Sequence, residues 1–149
     1  VLAGLDVSFV GEQWRLGATG RSDRIEFAYS LDATALGLGT WVEVNELDFV
    51  APVAAGTVGA LNGNLAANRS SRAFSLTGLD LPAGAGMWLR WSDFDASGAD
   101  DGLAIDEVVL TARPVEQAPV PDGWPPGAGA LVIAGVVALA VSGGRKAGV

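Results

Sequence analysis

Apolar and polar residues alternate along most of the first 110 positions. Leu5-Asp6-Val7-Ser8-Phe9-Val10 places every second side chain on one face, and so does Glu12-Gln13-Trp14-Arg15-Leu16. The same period recurs in 24–31, 41–44, 47–50, 73–77, 87–91 and 105–111. A period of two predicts half-buried strands, one face in a core and one in water. Gly, Asn, Asp and Ser separate the runs, as tight turns require. About eight short strands in one stretch of this length predict an all-β domain, an antiparallel β-sandwich of jelly-roll-like form. The one helical candidate inside it is Leu61 to Asn68.

The pattern stops near residue 112. Arg113-Pro114-Val115-Glu116-Gln117-Ala118-Pro119-Val120-Pro121 carries three prolines and no period, as an extended linker does. From Gly127 to Gly144 there is no charge, and Ala, Val, Leu, Ile and Gly dominate. Eighteen residues span roughly 27 Å as a helix, close to the ~30 Å hydrocarbon core of a bilayer. Arg145 and Lys146 follow at once. The expected organisation is a β-sandwich over 1–112, a Pro-rich linker over 113–126, and a transmembrane helix with a basic end over 127–149. The basic pair predicts a cytoplasmic C-terminus and an N-terminal domain outside. The chain opens on Val1, which suits a processed or partial form whose export signal lies upstream.

Charge follows the same division. Residues 1–112 hold fifteen acidic and six basic side chains, and residues 113–149 hold two acidic and three basic, for a net charge of −8. So acidic a domain lacks the clustered Lys and Arg that displace counterions from nucleic acid. The 149 residues include no Cys and no His. Disulfides, thiolate metal sites and a Ser–His–Asp triad are thereby excluded.

The densest polar signal is Asp93-Phe94-Asp95-Ala96-Ser97-Gly98-Ala99-Asp100-Asp101, between two predicted strands. Carboxylates crowded into one loop repel unless a cation relieves them. Asp93, Asp95 and Ser97 before Gly98 have the alternate spacing of calcium loops, with Asp100 and Asp101 as further ligands. No Glu stands at the twelfth position, so this is no EF-hand. The competing expectation is a solvated turn whose Asp side chains cap their own backbone. Arg90 and Asp106 are charged residues inside apolar runs, and at least one is expected to be buried and paired, Arg90 with Asp93 or Glu12. Trp88 and Trp91, three apart on one strand, must face opposite ways. One of them is therefore a candidate for stacking on a sugar ring, the other for the core. Asn68-Arg69-Ser70 forms a glycosylation sequon to which no role is attached.

The order Val120-Pro121-Asp122-Gly123, apolar run, Arg145-Lys146 resembles the PEP-CTERM sorting signal of exported bacterial proteins. Asp122 stands where Glu is common, and Gly123 stands where a second Pro is common, so the tail is nearer the Val-Pro-Asp variants. The resemblance implies export, transient membrane anchoring and cleavage by an exosortase-like enzyme. The set Glu12-x-Trp14-Arg15, Phe27-x-Tyr29-Ser30-Leu31-Asp32, Gly39-Thr40-Trp41, Leu89-Arg90-Trp91-x-Asp93 and Gly102 to Glu107 is similar to a sandwich domain of PEP-CTERM-bearing surface proteins. The expectation is a non-catalytic surface or matrix protein whose sandwich contacts calcium or polysaccharide. The alternatives are a small carboxylate-dependent glycoside hydrolase, or a module of a longer exported enzyme.

Overall fold

The computed structural model describes residues 1–115 and the strand 137–142. Two sheets face one another. In the first, β1 (Leu2–Leu16) is central, with β6 (Arg69–Leu81) along one side and β8 (Gly102–Pro114) along the other. The two-residue β5 (Gly59–Ala60) extends it beside the end of β1. In the second, β2 (Arg24–Ser30) pairs with β7 (Met87–Asp93) and with the short β3 (Val42–Glu43) and β4 (Phe49–Val50). These pairings are all antiparallel. A last strand, β9 (Val137–Ser142), adds to β7 in parallel.

The core lies between the sheets because the alternation places it there. Leu5, Val7 and Phe9 of β1 point inward with Leu76, Leu79 and Leu81 of β6; Ile25 and Phe27 of β2 meet them with Met87, Leu89 and Trp91 of β7. The Trp91 ring takes Phe9 edge-on at 5.7 Å and Phe27 at 5.0 Å, so one indole joins the two sheets. Such edge-to-face pairs add to what area burial alone provides.

Sequence reading placed a break at Gly11, and the structure does not. β1 is one strand of 15 residues. Gly11 takes an inward position where a Cβ would lie 2.1 Å from the Phe49 ring, so this glycine marks close packing rather than a turn. Leu61 to Asn68 is not a helix. Asn62 accepts a bond from the Asn64 N–H, and only Ala66–Asn68 form a 3-10 turn. Asn side chains that bond nearby backbone compete with a helix in this way.

β8 carries a bulge. The register steps from Ser8↔Val109 to Val10↔Asp106, and Glu107 has a positive φ of 52°. The extra residue bends the edge strand. β8 runs to Pro114, so Arg113 and Pro114 belong to the sheet rather than to a linker.

Of the predicted membrane segment, the described part is β9, a strand. In these six residues Val favours a strand, while Ala and Leu favour a helix. Among the described residues no helix is long and apolar enough to cross a membrane. The motif Val120, Pro121, Asp122, Gly123 and the basic pair Arg145, Lys146 lie outside the described residues, as do residues 116–126 of the predicted linker and the rest of the predicted helix.

Candidate functional site

The acidic loop spans one end of the sandwich. It leaves β7 in one sheet and enters β8 in the other, beside the 17–23 connection that crosses between the same sheets. This end is built around an inward polar residue. Gln13 follows Phe9 and Gly11 on the core-facing side of β1 and is fully buried. Its amide is oriented by Val53: the Val53 N–H donates to Oε1 at 2.8 Å, and Nε2 donates to the Val53 carbonyl at 2.9 Å. The remaining Nε2 proton goes to Asp101 Oδ2 at 2.8 Å. Asp101 Oδ1 accepts from the Gly17 N–H at 2.7 Å, and the Asp101 N–H donates to Asp23 Oδ2 at 2.9 Å. Asp23, also fully buried, lies 3.1 Å from Arg21 Nη1.

Two arginines bond the backbone of this loop. Arg21 reaches the Ala99 carbonyl as well as Asp23, and Arg15 Nη1 donates to the Asp100 carbonyl at 3.0 Å. A buried carboxylate bonded by two N–H donors and a carboxylate paired with Arg are satisfied without a metal. Among the described residues no group of three or more carboxylates is arranged to hold an ion. Of the residues proposed for calcium, Asp95 and Ser97 are exposed, Asp93 and Asp100 are half-buried, and Asp101 turns inward. Asp93 lies where burial pushes its carboxyl above the ordinary 3.8, and the nearby charges of Asp23, Asp100 and Asp95 push the same way.

The two tryptophans divide as their spacing requires. Trp91 is 1% exposed and belongs to the core, so it offers no ring to a ligand. Trp88 is half-buried on the opposite face of β7. Arg90 shares that outer face. It pairs with neither Asp93 nor Glu12: its guanidinium stacks 4.0 Å over the Trp41 ring, and Nη1 donates to the Leu36 carbonyl at 3.0 Å. The loop that carries Trp41 is closed by Asp32, whose carboxylate accepts from the Thr40 N–H at 2.7 Å, the Thr40 hydroxyl at 2.9 Å and the Ser30 hydroxyl at 2.8 Å. Those bonds hold its carboxyl below the usual 3.8. Gly39 makes the closure possible, with φ of 90° and room for no side chain against Ala33. Ser30, Asp32, Gly39, Thr40, Trp41 and Arg90 thus fasten one strap across the outside of the second sheet. Asp106 is exposed and accepts from the Glu107 N–H.

The outer face of the first sheet holds a feature that sequence reading missed. Glu12 is buried, accepts from the Trp14 indole at 3.0 Å, and lies 3.5 Å from Arg69; Glu107, on the β8 bulge, lies 3.2 Å from the same Arg69 nitrogen. An open groove of about 570 Å³ runs beside them, lined by Val10, Asn64, Ser70 and Ser71 among others. The signal in the sequence was the outward parity of Val10, Glu12 and Trp14. The Arg partner lies on another strand.

The chain matches no protein-family model, no curated protein and no solved structure.

Proposed function

We propose that this chain is an exported, non-catalytic β-sandwich delivered to the cell envelope by its C-terminal segment. The observation that carries the reading is the order of that segment: Val120-Pro121-Asp122-Gly123, eighteen uncharged residues, then Arg145 and Lys146. In this reading 127–149 crosses the bilayer as a helix, the sandwich has jelly-roll form and lies outside, and an exosortase-like enzyme cleaves near the Val-Pro-Asp-Gly motif. Polysaccharide is the partner assigned to the outer face of the second sheet, where Trp88 stands.

The character of the carboxylates supports binding over hydrolysis. A retaining or inverting glycosidase needs one carboxyl free to act as an acid and a second facing it across a cleft. Glu12 and Glu107 share one guanidinium, and Asp23 and Asp101 are bonded inside the sandwich end. Their arrangement is that of structural ion pairs and caps.

The test is the intact mass of the protein recovered from its native envelope. A C-terminus near 120–123 is expected. A mass that ends at Val149 would replace the sorting signal by a simple membrane anchor. A chain found wholly outside the envelope fraction, with its tail uncut, would refute both.

A further inference from the structure

β7 has two edges, and β2 occupies only one. The other is filled by residues 137–142, in parallel, over Met87 to Ser92. Met87, Leu89 and Trp91 are core residues, while Trp88, Arg90 and Ser92 take the outer face. The register sets Val137, Leu139 and Val141 level with the three core positions, and Ala138, Ala140 and Ser142 level with the three outer ones. Side-chain size in this hexapeptide therefore alternates in step with inside and outside along β7. A slip of one residue would set Ala, Ala and Ser level with the core. An edge whose N–H and C=O groups are otherwise unpaired is a template for another strand, and this one has a period-matched occupant in its own chain.

We propose that the free edge of β7 is a strand-acceptor surface whose occupant in water is this chain's own 137–142, and that a lipid bilayer competes for those six residues. The bilayer half of this rests on the envelope-tethered reading above; the strand half does not. In water an apolar run leaves solvent by completing the sheet. In lipid the same run satisfies its backbone as a helix, and β7 is then bared. The sandwich thus shelters its own membrane segment until a membrane is available, and insertion uncovers an edge able to pair with a new strand.

The test uses the full chain, which has no native cysteine. Ser92→Cys with Ser142→Cys joins positions that are level across the two strands, within the Cα separation of about 4.4–6.8 Å that a disulfide spans. Ser92→Cys with Ala138→Cys is the out-of-register control. Oxidation in buffer should give an intramolecular crosslink in the first variant and several-fold less in the control. Prior addition of phosphatidylethanolamine–phosphatidylglycerol vesicles should carry the protein up a flotation gradient and lose most of the crosslink. Equal crosslinking in both variants, none in either, or a crosslinked dimer would overturn the strand assignment; flotation in that case would leave the tethered reading standing. A crosslink that vesicles leave intact, without flotation, would overturn the competition and the tethered reading together.

Discussion

Asp101 is the residue on which the end of the sandwich should depend, and the reason is the direction of its hydrogen bonds. Val53 fixes the Gln13 amide so that Nε2 faces Asp101, and the Gly17 N–H faces the other oxygen. Both neighbours are donors, so the site requires two acceptors. Asp101→Ala removes both bonds and leaves the buried Gly17 N–H without its acceptor, while Gln13 keeps Val53. Bonds to a charged acceptor contribute roughly 1.5–3 kcal/mol each, and a buried unsatisfied donor costs roughly 1–3 kcal/mol. Removing the carboxylate also removes its own desolvation cost, so the net loss expected is about 3 kcal/mol. That is a large part of the ~5–15 kcal/mol of a typical domain. At this size it lowers Tm by on the order of 15 °C. Asp101→Asn keeps one acceptor but turns an NH2 toward a donor, and should cost about 2 kcal/mol. The assay is urea and thermal unfolding of each variant, with and without EDTA. Because the partners are protein groups, the deficit should be the same in both conditions, and EDTA should leave the parent chain unmoved. A chelator-sensitive parent whose sensitivity vanishes in Asp101→Ala would refute this account and restore a metal to the loop. So would an Asp101→Asn variant as stable as the parent.

Three further outcomes follow from the same geometry. Asp93→Asn should stabilise the domain at pH 7: the native carboxyl is raised above 3.8 by burial and by Asp23, Asp100 and Asp95, so the native state binds the extra proton and stability falls as pH rises through that range. The gain should disappear once pH lies below the ordinary carboxylate value, and an equal gain at acid pH would exclude a charge origin. Gly11→Ala places a methyl 2.1 Å from the Phe49 ring and should cost about 1–3 kcal/mol as overpacking, measured by urea unfolding; a neutral result would mean that Phe49 is free to move. Trp91→Ala should cost about 3–5 kcal/mol. Trp91→Phe should cost distinctly less, because the indole N–H is buried without a hydrogen-bond partner and its removal leaves nothing unsatisfied; near-UV circular dichroism of both variants reports whether the core stays ordered.

What could be read from the sequence was whatever depends on neighbours two residues apart. The inward faces of β1, β2 and β7 follow directly from Leu5-Val7-Phe9, Ile25-Phe27 and Met87-Leu89-Trp91. The alternation marks only 73–77 of β6, which has 13 residues, because Arg69 to Arg72 lie along a sheet edge where polar side chains are tolerated and carry no hydrophobic mark. Residues 41–44 and 47–50 read as full strands. Only two residues of each pair with β2, since a 3-10 turn at Asn45–Leu47 carries Leu47 into the core between them. The acidic loop was found, but not the way it is held. Which Asp turns inward is decided by Gln13 and Gly17, 88 and 84 residues away, and no local pattern contains that information. The charge density of the loop is legible in the sequence; that Arg15 and Arg21, arriving from β1 and from the crossing loop, bond its Asp100 and Ala99 carbonyls is not.

The C-terminal run shows the limit of period reading from the other side. From Gly127 to Gly144 every position is uncharged, which read at a period of 3.6 gives a helix apolar on all faces, a property suited to lipid. Residues 137–142 read at a period of two give large and small side chains in alternation, a property suited to a strand beside β7. Val and Gly weaken the first choice, and Val favours the second. Hydrophobicity alone does not decide between them, because an apolar composition suits either a lipid-facing helix or a strand of a sheet. The backbone does: its N–H and C=O groups are satisfied within a helix wherever the surroundings are, but as a strand only where an edge is open to receive them. The domain supplies that edge, and in the envelope-tethered reading proposed above the choice between the two states belongs to the sandwich and the membrane jointly rather than to the tail.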